Sequence, residues 1–171
     1  MNYSSGLIIY RNKTPVEREF FLVHPGGVFY RTFEKGGFWG FPKGKIENSD
    51  WYRFPYSITG KPERDAALYT AIREYQEETG DKDTDFKPLL NTIQYVGKVL
   101  QRKDKMVYAF AMECTWNLTA EKCYSNTIEV EVDNEKIKIP ENDGFIWATY
   151  SELKNIVHPK HLYFYQKLLS F

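Results

Sequence analysis

The sequence predicts an α+β fold, and three features predict it. Short β-rich apolar runs recur in both halves of the chain, one amphipathic helix stands near the middle, and one or two helical stretches close it. At 171 residues the chain fits one domain, 1–171. A chain of that size buries roughly 70% of its unfolded surface on folding.

Residues 6–10 (Gly-Leu-Ile-Ile-Tyr) and 19–23 (Glu-Phe-Phe-Leu-Val) read as strands, and the polar stretch 11–18 between them predicts a hairpin or two adjacent strands. His24-Pro25-Gly26-Gly27 ends the second run as a turn. The glycine-punctuated aromatic segment 36–44 predicts a short strand entering a loop, with Pro42 arguing against a central strand. Residues 48–62 have no clear period and two prolines. Residues 65–79 predict the best helix, with Leu68, Ala71, Ile72 and Tyr75 on one stripe and Gly80 placed to end it in a left-handed conformation. Strands are expected at 92–100 and 106–116, joined by a basic turn at 101–105. Alternation over 126–139, with Ile128, Val130, Val132, Ile137 and Ile139, predicts a solvent-facing hairpin that reverses at 133–136. A strand at 145–148 follows, then a helix with Ser151 as N-cap, an interruption at Pro159, and a final helix over 161–169.

Lys+Arg and Asp+Glu both number 23, so the formal charge is zero. Neutrality argues against a general nucleic-acid binder and against a polybasic membrane-surface protein. It leaves room for a local basic pocket. Two cysteines, Cys114 and Cys123, make no disulfide framework and show no metal-ligand spacing. With no signal-peptide pattern at the start and no apolar run of membrane-spanning length, a cytoplasmic enzyme or binding module is expected, as a monomer or homodimer.

Chemistry concentrates in Arg73-Glu74-Tyr75-Gln76-Glu77-Glu78-Thr79-Gly80. On a helix Glu74, Glu77 and Glu78 share one side, and three close carboxylates repel. A divalent cation with a taste for oxygen ligands, Mg²⁺ or Mn²⁺, relieves that repulsion and recruits substrate phosphates. The other reading of the spacing is a solvated acidic face.

The segment resembles the second half of the Nudix box, Gx5Ex7REUxEExGU, where U is bulky and apolar. Trp39-Gly40-Phe41-Pro42-Lys43-Gly44-Lys45-Ile46-Glu47 is similar to the strand and loop that open the box, with Gly44 as its first glycine and Gly60 a weaker choice. The strand at Gly6 and the runs at 22–27, 107–116 and 141–147 fit the same MutT-like domain. Two departures stand out. Counting back from Arg73 puts Asp65 where the box has its first Glu, so 48–62 is expected to be an aromatic-rich insertion. Asp81 occupies an apolar position.

The resemblance implies an α/β/α sandwich with a mixed central sheet, the box helix and a C-terminal helix. It also implies a Mg²⁺-dependent hydrolase of a nucleoside diphosphate linked to another moiety, with a dinucleoside polyphosphate or related nucleotide favoured. Glu74 and Glu78 are the expected metal ligands, Glu77 is next, and the Gly44 carbonyl is a further one. Arg73 is expected on the other side of the helix, orienting the box loop through a salt bridge or standing as an exposed arginine. Glu141, six residues before Trp147, is either a metal-binding or basic carboxylate or an exposed loop acid. Asp65 is either a base or supporting acid, or a helix cap. Lys43 and Lys45 are candidates for substrate phosphate, as is Arg102 in its basic turn with Lys103 and Lys105; Arg31 and Lys35 are weaker ones. Trp51, Tyr52, Phe54 and Tyr56 either pack back on the domain or form a lid over a base. Two other functions stay open: a Nudix-fold binding or regulatory module without turnover, and an interaction domain built on the insertion.

Overall fold

Leu7, Ile8 and Ile9 are fully buried in succession, so the strand that carries them is covered on both faces. This strand, β1 (Asn2–Thr14), is the middle of the sheet in the computed structural model, which describes residues 1–26 and 37–169. Gly27, Arg31 and Lys35, named above, and the first residue of the 36–44 segment lie outside the described residues.

β1 pairs antiparallel with β2 (Glu17–Pro25), and the hairpin extends past its apolar runs to Thr14↔Glu17. Cross-strand pairs hold that polar end: Arg11 meets Glu19 at 2.9 Å and Lys13 meets Glu19 at 3.5 Å. β3 (Lys43–Lys45) lies antiparallel along Ser4–Gly6 of β1. β4 (Gln94–Arg102) and β5 (Lys105–Glu113) form the expected second hairpin, and β5 runs parallel to β1 from Asn2↔Lys105 to Tyr10↔Glu113. β6 (Thr127–Val132) and β7 (Glu135–Pro140) make a separate two-stranded ribbon, reversing at Asp133 and Asn134, both at positive φ. β8 (Asn142–Thr149) closes the far edge against β2, giving the order β4-β5-β1-β2-β8 in a mixed sheet.

Helix α1 (Pro62–Thr79) covers the face of Leu7 and Ile9 with Ala67, Leu68, Ala71 and Tyr75. Helices α2 (Tyr150–Ile156) and α3 (Leu162–Lys167) cover the face of Ile8 through Leu153, Phe164 and Tyr165. The α/β/α layering and the α+β class are therefore as expected. α1 begins three residues before the predicted start, because Pro62 is suited to the first helical turn. It ends where Gly80, at φ 74°, donates its N–H to the Gln76 carbonyl. The cap of α2 is Thr149, not Ser151: Thr149 and Glu152 form a reciprocal capping box. The last helix is shorter than expected, since Pro159–His161 forms a 3₁₀ turn before α3.

Asp81, unusual at an apolar position, is spent on the core. It accepts from the Tyr75 hydroxyl at 2.7 Å and from both N–H and hydroxyl of Thr84. Cys114 and Cys123 are free thiols. Among the described residues no helix is long and apolar enough to cross a membrane.

Candidate functional site

The last two turns of α1 run beside β3, and this brings the acidic side of the helix against the Lys43-Gly44-Lys45 backbone. Glu74 and Glu78 are 7% and 5% exposed, so neither is part of a solvated face. A Cβ on residue 44 would fall inside the Glu74 carboxyl group, so only glycine lets backbone and carboxylate approach this closely. Glu78 accepts from the Lys43 N–H at 2.9 Å and from the Asn142 side chain. Burial pushes Glu74 up to about 7; Arg73 opposes that, while Glu77 and Glu141 add to it by repulsion. Burial also drives Glu78 well above the carboxylate range, opposed by Lys43 and aided by Glu141 and Glu74.

Glu141 sits at the β7–β8 junction, lines the same cavity as Glu78, and acts by repulsion on both Glu74 and Glu78. It accepts from Asn126 Nδ2 at 2.8 Å, and Asn126 in turn donates its backbone N–H to the Glu77 carbonyl. Ser125 Oγ accepts from both the backbone N–H and the side-chain amide of Asn142, which completes the link between the ribbon and α1. Sequence reasoning missed Asn126 and Asn142. Their neutral amides carried no pattern, and their role comes from a turn that only the fold creates.

Arg73 corrects one expectation. It does not point away from the acids: Nη1 donates to Glu74 at 2.8 Å and to Glu77 at 3.1 Å. Its other nitrogens grip Asp50 twice, at 3.0 Å each, and the Lys45 carbonyl at 3.1 Å. Asp50, 2% exposed, also accepts from Thr70 Oγ1 at 2.9 Å and from the Glu47 N–H at 2.8 Å. These donors outweigh the upward push of burial and hold its pKa below the ordinary value.

Asp65 is not brought to the cluster. It lies nine residues before Glu74, ~13 Å along the helix axis. Its carboxylate takes the Ser57 hydroxyl at 2.5 Å and the Thr59 N–H and hydroxyl at 2.8 Å each, with the Ile58 N–H at 3.1 Å. It anchors the preceding loop and touches none of the other site residues. Glu77 is 43% exposed and bonded to Arg73, at the rim. Lys45 is exposed and contributes its carbonyl. Arg102 is held by Asp104 at 2.9 Å on the outside of its turn, so its charge is spent there. In the aromatic segment Phe54 packs on Tyr69, while Tyr52 and Tyr56 stand 92% and 69% exposed.

A cavity of about 250 Å³ opens from this cluster. Glu78, Glu141 and Lys43 line it near the acids, and Trp39, His158 and His161 line it on the side of the C-terminal helices. Hard, buried carboxylate oxygens with raised pKa values are a donor set that fits a divalent cation. Among the described residues no three acidic, histidine or cysteine side chains form a finished metal cage; Glu74 is bonded to Arg73, and Glu78 to the Lys43 N–H.

No protein-family model matches the sequence, and no curated protein matches it. Solved structures do. An Ap4A hydrolase of C. elegans matches with a TM-score of 0.54 at 15% identity, over 98% of this chain and 95% of that one. A Nudix hydrolase of Alicyclobacillus acidocaldarius matches at 0.59 and 16%, over 91% and 82%. The Nudix domain of Shewanella oneidensis NrtR, solved with ADP ribose, matches at 0.56 and 11%, over 98% and 88%. This chain has the Nudix fold.

Within the Nudix frame, Asp50 takes on a meaning that counting back from Arg73 hid. It lies six residues after Gly44, the spacing the box gives its first glycine and first acid. Twenty-two residues then separate Asp50 from Arg73, where the box has seven. On that count the additional residues lie between Asp50 and Arg73, and Asp65 is a residue of α1. The Gly44-x5-Asp50 spacing was the available signal.

Proposed function

We propose that this protein is a divalent-metal-dependent hydrolase that cleaves a phosphoanhydride bond in a nucleotide joined to another moiety. One observation carries the reading: two buried carboxylates, Glu74 and Glu78, converge on the backbone of Gly44 and Lys43 beside an open cavity. Burying mutually repelling acids is costly unless a cation joins them. The names of the structural neighbours, an Ap4A hydrolase and a domain solved with ADP ribose, support a nucleotide substrate.

Glu74 and Glu78 would hold Mg²⁺ or Mn²⁺, with the Gly44 carbonyl and Glu77 at hand. Such an ion supplies positive charge to phosphate oxygens and lowers the pKa of a bound water. The protein's own part is positioning. Arg73, braced by Asp50, fixes the direction of the Glu74 carboxylate. Glu141, oriented by Asn126 and lining the cavity, would take the proton of an attacking water. Trp39 and His158 give the cavity aromatic walls suited to a nucleobase.

The test is turnover of nucleoside triphosphates, ADP-ribose, dinucleoside polyphosphates, nucleotide sugars and diphosphoinositol phosphates, with and without Mg²⁺. We expect metal-dependent turnover of at least one class and its loss in Glu78→Gln. Absence of turnover with every class would favour the second reading, a binding module without catalysis. The hold of Arg73 on both Glu74 and Glu77 speaks for that alternative.

A further inference from the structure

On the side of the C-terminal helices the cavity meets an irregularity in the sheet. Leu100 pairs with Met106 and Arg102 with Lys105, so Gln101 is an extra residue with no partner on β5. Such a bulge bends a strand and re-aims the side chain it carries. Here the bulged end of β4 meets the 3₁₀ turn Pro159–His161. Lys160 Nζ donates to the Leu100 carbonyl at 2.9 Å, and His161 Nε2 lies 3.0 Å from Gln101 Oε1. Gln101 and His161 both line the cavity, together with Phe38, Trp39 and His158.

An amide oxygen only accepts, so the proton of this contact is on His161 Nε2. Nδ1 has no partner that would draw the proton to the other side of the ring. His161 is 2% exposed, with the Phe41 and Phe164 rings at 5.4 and 6.0 Å between centroids. Burial first, then the charge of Lys43, pushes it down to about 2, so the ring stays neutral. The contact therefore fixes which way the Gln101 amide faces. Its oxygen is taken by His161, and its NH₂ has no acceptor among the described residues. The other groups on this wall are flat rings. Phe38, 51% exposed, stands edge-on to His158 at 5.3 Å. Ring walls with one oriented donor suit a planar ligand that carries acceptor atoms on its edge.

We propose that Gln101, its amide held by His161, reads the base of a nucleotide bound in this cavity. The Gln101 N–H groups donate to a ring nitrogen or carbonyl oxygen on the base edge, while the phosphates lie toward Glu78, Glu141 and Lys43 at the other end. Gln101 touches the substrate, and His161 is a positioning residue that acts through it. This rests on the hydrolase reading and deepens it, by assigning the recognition of the nucleoside to a named side chain.

Calorimetric titration in Mg²⁺ tests it, with AMP, GMP, CMP and UMP as probes and ribose 5-phosphate as the same group without a base. At least one nucleotide should bind more tightly than ribose 5-phosphate. Gln101→Met keeps the length of the side chain and removes the amide. It should weaken that nucleotide about 5- to 10-fold and change ribose 5-phosphate less than about twofold. His161→Phe should weaken the nucleotide by a similar factor in the wild-type background and by less than about twofold when added to Gln101→Met, since it acts only through the amide. Gln101 is half-buried at a bulge, so its variant decides the proposal even if His161→Phe does not fold. In turnover assays Gln101→Met should raise KM about 5- to 10-fold at unchanged kcat. Equal nucleotide affinity in Gln101→Met and wild type overturns the proposal. So does an equal loss for ribose 5-phosphate, or no nucleotide binding more tightly than ribose 5-phosphate. Base binding that needs Gln101, without turnover of any substrate, would keep the reader and remove the hydrolase reading; turnover with KM unchanged in Gln101→Met would do the reverse.

Discussion

Asp50 and Asp65 flank the aromatic segment of Trp51, Tyr52, Phe54 and Tyr56 and share much of their chemistry. Each accepts several hydrogen bonds, and in each those donors overcome burial and hold the carboxylate below its usual range. They differ in who the donors are. Asp50 is gripped by Arg73 and Thr70 of α1, so it ties the loop to the helix that carries the acids. Asp65 is gripped by Ser57, Ile58 and Thr59, so it ties the loop before α1 to the foot of the helix. How well a carboxylate is satisfied therefore does not report its role; the element that supplies its donors does.

The sharpest way to break the comparison is Asp50→Ala against Asp65→Ala. Removing Asp50 leaves Arg73 unbraced beside Glu74, and kcat should fall about 10- to 100-fold, as when supports of metal ligands are lost. Stability should fall by about 2 kcal/mol, less than for a fully buried pair because Arg73 is 24% exposed. Urea unfolding and steady-state kinetics read both effects, and Asp50→Asn should recover part of the activity by keeping the contacts of an amide oxygen.

The pH dependence of the metal-free protein sharpens the contrast next. Glu74 is raised in the folded state, so the fold binds the extra proton, and stability falls as pH rises from about 4.5 to about 7. Asp50 and Asp65 are depressed, so their contribution is present above their unfolded value of about 3.8 and is lost as pH falls through the folded one. Thermal melts in EDTA should therefore peak near pH 4–5 and decline toward neutrality by about 5 °C. Mg²⁺ should abolish the decline. A melting curve flat from pH 5 to 8 without metal would contradict the placement of Glu74.

Asp65→Ala should cost about 1 kcal/mol, the scale of a lost helix-start contact, with kcat within twofold. Tyr52→Ala is the smallest change expected. Its ring is 92% exposed, so stability should move by less than about 0.5 kcal/mol. A large rise in KM in that variant would make the segment a lid after all.

These contrasts also show what could be read without coordinates. Glu74 and Glu78 were legible because helix spacing alone puts them on one side, and the glycine after the helix was legible because its conformation is demanded locally. The hairpins were legible in kind, although polar ends such as Arg11 and Glu19 extend them beyond their apolar runs. Asp50 was obscured because 22 residues separate it from Arg73, and a motif depends on fixed spacing. Asn126 and Asn142 depend on strands far apart in sequence.

The parallel pairing of β1 with β5 has a consequence for how the molecule comes into being. The strand made first is the middle of the sheet, yet its long partner begins at Lys105 and ends at Glu113. During synthesis the β1–β2 hairpin can close at once, but the other edge of β1 must wait for about a hundred further residues. A nascent chain thus carries an open strand edge until β5 has been made, and helper proteins that shield such edges would find it there.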